Sequence, residues 1–325
     1  MSVHDAPPAA AAAPVAHPRL AALVERARQR AGCAPPAIGL AHPCDALALS
    51  AAARIAEAGV ARPVLIGPRE GIERAADAAQ LDASAFEIIA TPAPAPEAAA
   101  RAVALARDGV LGALMKGSLH TDELMSAVVR RDSGLRTDTR ISHAFVFDLP
   151  RYPKLLALAD CVVNIAPDLK TKRDILTNAV RLLQRALEIT TPKVGIVAAV
   201  ETVNPAIPAT LDAQALVQMA REGAFEGALV EGPFGFDNAF SAEAARIKKI
   251  DSQVAGDADL LLMPDLNASN MLYKSFIYVG GGDCAGLVQG ARVPVVITSR
   301  ADSVASRIAS VALAVLAMPT QDVQR

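Results

Sequence analysis

The sequence predicts an α/β protein of two three-layer αβα domains, each a mostly parallel sheet covered by helices, with a cleft between them. Three observations carry this. Short apolar runs rich in Val, Ile, Leu and Ala alternate with stretches of helical periodicity from about residue 20 onward. The strand-like runs are apolar throughout rather than alternating, as in strands buried on both faces. The proline-bearing stretch "FDLPRYPK" at 147–154 interrupts the rhythm and reads as a hinge. The expected division is a disordered Ala/Pro tail at 1–19, a first domain from 20–149 plus 287–325, and a second from 150–286. The chain would return to the first domain near 286–292.

In order, "LAALVERARQR" reads as a helix, "PAIGLAHP" as a strand and "DALALSAAARIAEAG" as a helix closed by Gly59. "ARPVLIGP" is a strand, 97–108 a helix and "VLGALMKG" a strand. "TDELMSAVVRRDSG" is a helix with Thr121 as its N-cap, acids in its first turn and arginines in its last. "SHAFVFDLP" and "CVVNIAPD" read as strands, and "TKRDILTNAVRLLQRALEI" as a helix with Ile175, Ala179, Leu182, Leu183 and Ala186 on one face. The strand "KVGIVAAV", the loop "ETVNPAIPAT", the helix "LDAQALVQMARE" and the strand "GALVEGP" follow, then a polar loop holding Asp237 and Asn238. "ADLLLMPD" is a strand and "ASNMLYKSFIYVG" a helix. Last come the strand "VPVVI" and a helix after Ser303 with Val304, Ile308, Val311 and Val315 in one stripe.

Composition narrows the function. The chain has 325 residues, 32 basic and 34 acidic, for a formal charge of −2. That balance gives no electrostatic case for nucleic acid or membrane surfaces. Aromatics are 3% and Trp is absent, so there is no platform for stacking bases. Cys33, Cys44, Cys161 and Cys284 form no C-x-x-C pair and read as free thiols of a reducing cytoplasm. The opening "MSVHDAPPAAAAAPVAHP" lacks Lys and Arg and is broken by proline, unlike a secretory signal. No run approaches the roughly 18 apolar residues of a membrane span.

Ligands of α/β proteins sit outside the carboxyl ends of strands, and several strand ends here are polar. Lys116-Gly117-Ser118 follows "GALM", and Asn164 and Asp168 lie in and after "CVVNIAPD". Glu201, Thr202 and Asn204 follow "GIVAAV", Asp237 and Asn238 follow "GPFGF", and Ser299, Arg300 and Asp302 follow "PVVI". Any one of these serves equally as an N-cap or loop hydrogen bond, as Ser303 would for the last helix. Together they are expected on one rim of parallel sheets. Arg130, Arg131, Arg136 and Arg140 crowd the stretch before "SHAFVFD", which Ser142 opens. The bland reading is a solvated helix end. The functional one is a polyphosphate clamp, because guanidinium binds phosphate oxygens through paired, charge-assisted bonds, with Arg140 the better placed. "GGGD" at 280–283 lacks the strand-then-helix setting of a dinucleotide fingerprint, and no Walker A pattern exists. His120 and His143 have no metal-ligand spacing, and His143 reads as a core residue.

"LMKGSLHTDELMSAVVRRDSGLRTDTRISHAFVFD", "VVNIAPDLKTKRDILTNAV", "VAAVETVNPAIPATLDA", "EGPFGFDNAFS", "VAGDADLLLMPDLNASNML" and "GARVPVVITSRADS" resemble, in order and over roughly residues 20–318, the phosphate acetyltransferase and phosphate butyryltransferase family, more its butyryltransferase branch. The resemblance implies reversible transfer of a short acyl group: acyl-CoA plus phosphate gives acyl phosphate plus CoA. It implies no resident cofactor, coenzyme A as substrate, a cytoplasmic homodimer, and a fold like that of isocitrate and isopropylmalate dehydrogenases. It places the family's phosphate-site Ser-Arg pair on Ser299 and Arg300, and an arginine that holds CoA on Arg140. The classical acetyltransferases carry a catalytic aspartate seven positions after that Ser, where this chain has Ser306. Asp302, the nearest carboxylate, is therefore the expected base. Lys116, Arg136, Arg140, Ser142, Asn164, Thr202, Asn204, Asp237 and Asn238 are the expected substrate-binding residues. The competing readings are a metal- and NAD-dependent decarboxylating 2-hydroxy-acid dehydrogenase on the same fold, with Asp257, Asp259 and Asp283 as ligands, and a non-catalytic small-molecule binding protein.

Overall fold

Helix and strand alternate along the computed structural model, which describes residues 16–299 and 302–319. Among these the strands are β1 (Ala37–Ala41), β2 (Arg62–Gly67), β3 (Glu87–Ala90), β4 (Ala113–Lys116), β5 (Ser142–Asp148), β6 (Leu156–Ala159), β7 (Lys193–Val197), β8 (Leu229–Phe234), β9 (Leu260–Leu262), β10 (Asp283–Gln289) and β11 (Val295–Val296). The helices are α1 (Pro18–Ala31), α2 (Ala46–Glu57), α3 (Arg69–Ala78), α4 (Ala95–Arg107), α5 (Thr121–Val129), α6 (Leu169–Ala186), α7 (Pro208–Arg221), α8 (Phe236–Phe240), α9 (Ala242–Ile247), α10 (Leu266–Tyr278) and α11 (Val304–Ala317). Local chemistry sets the helix starts. Asp45, Asp168, Asp265 and Ser303 each accept a backbone N–H of the first turn they precede, and Pro opens α1 and α7.

The α/β class and the mostly parallel pairing are as expected, but the strands form one continuous sheet in the order β3-β2-β1-β4-β11-β10-β5-β6-β9-β7-β8. In one wing β1, β2, β3, β4 and β11 run parallel. In the other β6, β9, β7 and β8 run parallel. Between them β10 is antiparallel to both β11 and β5, and β5 is antiparallel to β6. Three reversals turn the second wing over. The carboxyl ends of its strands therefore point to the opposite end of the sheet from those of the first wing. One face packs on α1, α2, α6, α7 and α11, with Leu23, Leu49, Leu183 and Leu216 at its core. The other packs on α4 and α5 beside the first wing and on α8 and α10 beside the second. Phe145, Phe147, Tyr152, Phe234 and Phe276 all gather in that last patch.

Three segments differ from the reading of the sequence, and α3 and β3 fall in a stretch it does not assign. The strand expected at 161–168 lies earlier, at β6, because the Asp160 carboxylate accepts the N–H groups of Val162 and Val163 at 2.9 and 3.0 Å and turns the chain. Residues 283–289, whose second half falls in the crossing expected near 286–292, form β10, whose central Gly286 lies against the Phe145 ring with no room for a Cβ. Asp237 and Asn238 lie on the short helix α8 rather than in a loop. The expected N-cap Thr121 is the first residue of α5. His120 precedes it, and its N–H donates to the Glu123 carboxylate at 2.7 Å.

Candidate active site

The first wing's carboxyl edge is built around a close backbone approach. The Gly117 N–H donates to the Ala41 carbonyl at 2.9 Å, and the Ser118 N–H to the His42 carbonyl at the same distance. A Cβ on Gly117 would overlap the Ala41 and His42 carbonyl oxygens, so only glycine lets the chain leaving β4 pass the end of β1. The Ser118 hydroxyl donates to the His42 carbonyl at 2.7 Å and accepts the Cys44 N–H at 3.1 Å. Lys116, half-buried at the last position of β4, donates through Nζ to the carbonyls of Leu119 and Gly117 at 3.1 and 3.4 Å. Its ammonium is thus held at the mouth of this edge.

Beside it, β11 opens into Thr298, Ser299 and Asp302. The Ser299 N–H donates to Asp302 Oδ2 at 2.6 Å, and the Asp302 N–H returns a bond to the Ser299 carbonyl at 3.2 Å. Ser303 caps α11 by accepting the Ser306 N–H at 2.9 Å, and its hydroxyl donates to Asp283 Oδ2 at 3.0 Å. Under the turn lies the buried Arg307 guanidinium. It donates to the Ser299 carbonyl at 2.7 Å and, more distantly, to the Asp302 carbonyl and the Thr298 hydroxyl. Burial pushes the Asp302 carboxyl above its usual range. The Ser299 N–H and the Arg307 charge pull it down, and the charge of Asp283 adds to the rise. A cavity of about 20 Å³, lined by Asp45, Lys116, Ser118, Thr298, Ser299 and Arg307 among others, joins the two halves of this edge.

Lys116, Ser299 and Asp302 are thus brought together. Arg300, expected as their positive anchor, lies outside the described residues. The other expected ligands stand elsewhere, because the second wing is inverted. Arg140, Ser142 and Asn164 sit where β5 begins, and Thr202, Asn204, Asp237 and Asn238 beyond the carboxyl ends of β7 and β8. Seven residues of β5 at about 3.3 Å each put roughly 20 Å between that end of the sheet and the Ser299 end. Arg140 is tied into the fold there. Its Nε donates to Asn164 Oδ1 and its N–H to Asp174 Oδ2, both at 3.1 Å, while Asn178 Nδ2 donates to its carbonyl and to Ser142 Oγ, both at 2.9 Å. Asn204 accepts the Ala206 N–H at 2.9 Å, a loop-closing turn, and Thr202 is exposed. Asp237 pairs with Lys248 at 3.1 Å. Asn238 is fully buried, with neither amide atom hydrogen-bonded among the described residues. Arg136 is exposed and bridges to Ala291.

The sequence reading missed Arg307, and it named Ser118 only as part of a polar strand end and Asp283 only as a metal-ligand candidate. Arg307 had a signal: it is the one charged residue of α11, on a helix otherwise made of apolar residues and Ser. The acids considered as metal ligands are engaged otherwise. Lys154 pairs with both Asp257 and Asp259, at 2.9 and 2.7 Å, and Asp257 also takes Lys193. Asp283 lies three strands away from β9 and holds Ser303.

A family model described as "Phosphate acetyl/butaryl transferase" matches residues 94–315. The chain is 50% identical over 283 residues to the phosphate acetyltransferase of Rhizobium meliloti, covering 87% of this chain and 89% of that protein. It is 40% identical over 280 residues to a probable phosphate butyryltransferase of Bacillus subtilis (strain 168), covering 86% and 92%. The named butyryltransferase is the less similar of these two. Among solved structures, a branched-chain phosphotransacylase from Enterococcus faecalis V583 superposes with a TM-score of 0.77 at 27% identity, covering 87% of this chain and 98% of that one.

Proposed function

Since the chain belongs to the phosphate acetyl/butyryltransferase family, we propose that it moves a short-chain acyl group reversibly between coenzyme A and inorganic phosphate at the edge formed by Lys116, Ser299 and Asp302. One observation carries the placement: the reciprocal Ser299–Asp302 turn stands directly before the N-terminus of α11, with Lys116 on the neighbouring strand. A helix start offers unsatisfied N–H groups and a partial positive charge, which suits a phosphate. Asp302, with its carboxyl raised by burial, suits a base.

The step is a direct displacement. The Asp302 carboxylate takes the proton of the CoA thiol; an alkyl thiol, like the Cys side chain at about 8.5, is mostly protonated at neutral pH. The sulfur attacks the carbonyl carbon of the acyl phosphate, the C–S bond forms, the C–O bond to phosphorus breaks, and phosphate leaves with the electron pair. Ser299 Oγ and the first-turn N–H groups of α11 hold the departing oxygens, and Lys116 supplies a cation to the same edge. No covalent acyl-enzyme is needed, because both substrates are held in line.

This reading takes residues 20–149 with 287–325 as the domain that carries all three of these residues and 150–286 as the other, in a cytoplasmic homodimer. The dehydrogenase reading has less support, since Asp257 and Asp259 are engaged by the ammonium groups of Lys154 and Lys193 and Asp283 lies three strands away. The test is release of free thiol from a chain-length series of acyl-CoAs, with and without inorganic phosphate. Phosphate-dependent release that falls sharply in Ser299→Ala and Lys116→Gln supports the assignment. Thiol release indifferent to phosphate, or unchanged in both variants, overturns it.

A further inference from the structure

At the end of the sheet away from Ser299, a pocket of about 240 Å³ opens between α6, the end of β10 and the last turn of α11. Its walls carry three guanidinium groups, Arg181 and Arg185 from successive turns of α6 and Arg292 from the loop after β10. Against these stands one carboxylate, the exposed Asp138, 4.0 Å from Arg181. That distance is too long for a hydrogen-bonded pair and in solvent contributes little. Among the described residues the Arg292 guanidinium makes one hydrogen bond, at 3.4 Å to the Gly134 carbonyl, and Arg185 makes no ion pair. The carbonyls at the end of α11, which would otherwise repel an anion here, are engaged by Arg30, which donates to Leu316 and Met318 at 2.9 and 2.7 Å.

A second feature is independent of these charges. Gln289 Nε2, on the pocket wall, is enclosed yet meets no acceptor among the described residues. An enclosed donor without an acceptor costs about 1–3 kcal/mol, so its persistence calls for an explanation. The floor is apolar, from Leu182, Leu287 and Ala317. Positive walls, an unmet donor and an apolar floor suit one kind of ligand: a small organic molecule of a few carbons bearing two negative charges. The volume is too small for a nucleotide and ample for a phosphate ester or a dicarboxylate.

We infer that this pocket, lined by Arg181, Arg185, Arg292 and Gln289, binds a small organic dianion at a site separate from the catalytic edge. The inference stands without the acyl-transfer reading, because binding here involves none of Lys116, Ser299 or Asp302. The test is isothermal titration of the full chain with glycerol 3-phosphate and, separately, succinate, in native protein, in Arg181→Gln/Arg185→Gln/Arg292→Gln and in Lys116→Gln. The triple variant is expected to weaken binding of at least one probe at least tenfold, to melt within a few degrees of native protein and to keep native turnover. Lys116→Gln is expected to bind the same probe as native protein does. Should the triple variant fail to fold, Gln289→Leu replaces it and is expected to weaken the same binding severalfold. Binding unchanged in these variants, binding abolished by Lys116→Gln, or heats absent with both probes would each overturn the assignment.

Discussion

Ser299 and Asp302 are bonded to each other twice, N–H to carboxylate at 2.6 Å and N–H to carbonyl at 3.2 Å, so the carboxylate faces the strand end from a fixed turn. The carboxyl is buried enough to sit above its ordinary range. Two consequences with opposite signs follow. As a base, Asp302 works deprotonated, so kcat/KM is expected to fall as pH drops through its raised pKa, and Asp302→Asn to lower kcat about 100-fold or more and erase that acid limb. For stability the sign reverses. A carboxyl whose folded pKa is raised favours the native state at low pH, and that contribution is lost as pH climbs through the raised value. Asn keeps an acceptor for the Ser299 N–H, so at neutral pH the variant is expected to melt no lower than native protein. Melting curves beside pH–rate profiles check this, and a variant that loses stability and activity together would assign Asp302 a structural role.

Arg307 acts on the site through others. Its guanidinium spans the Ser299 and Asp302 carbonyls and the Thr298 hydroxyl. Arg307→Met keeps the buried stem and removes every donor; the Ser299 carbonyl keeps the Asp302 N–H but loses a charge-assisted bond, at a cost of about 1.5–3 kcal/mol. The expected outcome is a lower Tm with a raised KM for phosphate and little change in KM for CoA, and partial recovery of that KM in Arg307→Lys. A fall in Tm with both Michaelis constants unchanged would reduce the residue to packing.

The helix-and-strand rhythm, the class and the Ser299–Asp302 strand end were legible because each is written in local pattern: apolar runs, caps and a sudden polar stop. The placement of the remaining candidates was not. Whether two polar strand ends share a rim depends on the relative direction of strands far apart in sequence, and here that is decided by the antiparallel β5–β6 pair, because the two antiparallel pairings of β10 cancel. β10 gave almost no signal, since Gly286 lies at its middle and Asp283 and Gln289 at its ends. The net reversal, however, comes from β5 and β6: with the strand read at 161–168 in place of β6, that antiparallel pair goes unseen, and Asn164, Thr202 and Asp237 are expected beside Ser299. Arg307 was hidden differently: its bonds run to backbone carbonyls, which no side-chain motif records.

Arg140 is where resemblance and geometry diverge. The family likeness assigns it to CoA, whereas its own bonds tie β5 to Asn164, Asp174 and Asn178 some 20 Å from Ser299 by strand length. Arg140→Ala is therefore expected to leave the KM for CoA within about twofold of native while lowering Tm by a few degrees. Steady-state kinetics with CoA varied, beside a melting curve, separate the two roles. A tenfold rise in that KM at native Tm would return Arg140 to the substrate.

His143 carries the clearest pH signature of the core. It is 1% exposed on β5, both ring nitrogens lack partners among the described residues, and burial lowers its pKa from 6.5 to about 3. The folded chain thus holds the imidazole neutral where the unfolded chain protonates it. Since the unfolded state binds the extra proton, stability is expected to decline as pH falls below 6.5 toward about 3, by up to about 1.4 kcal/mol per pH unit. His143→Leu removes the titrating group and the two unpaired nitrogens at similar volume. It should flatten that part of the curve while leaving neutral-pH turnover intact, because His143 lies toward the far end of β5 from Ser299. Denaturant unfolding between pH 4 and pH 7 measures the slope. An equally steep decline in His143→Leu would mean that other groups carry the acid sensitivity.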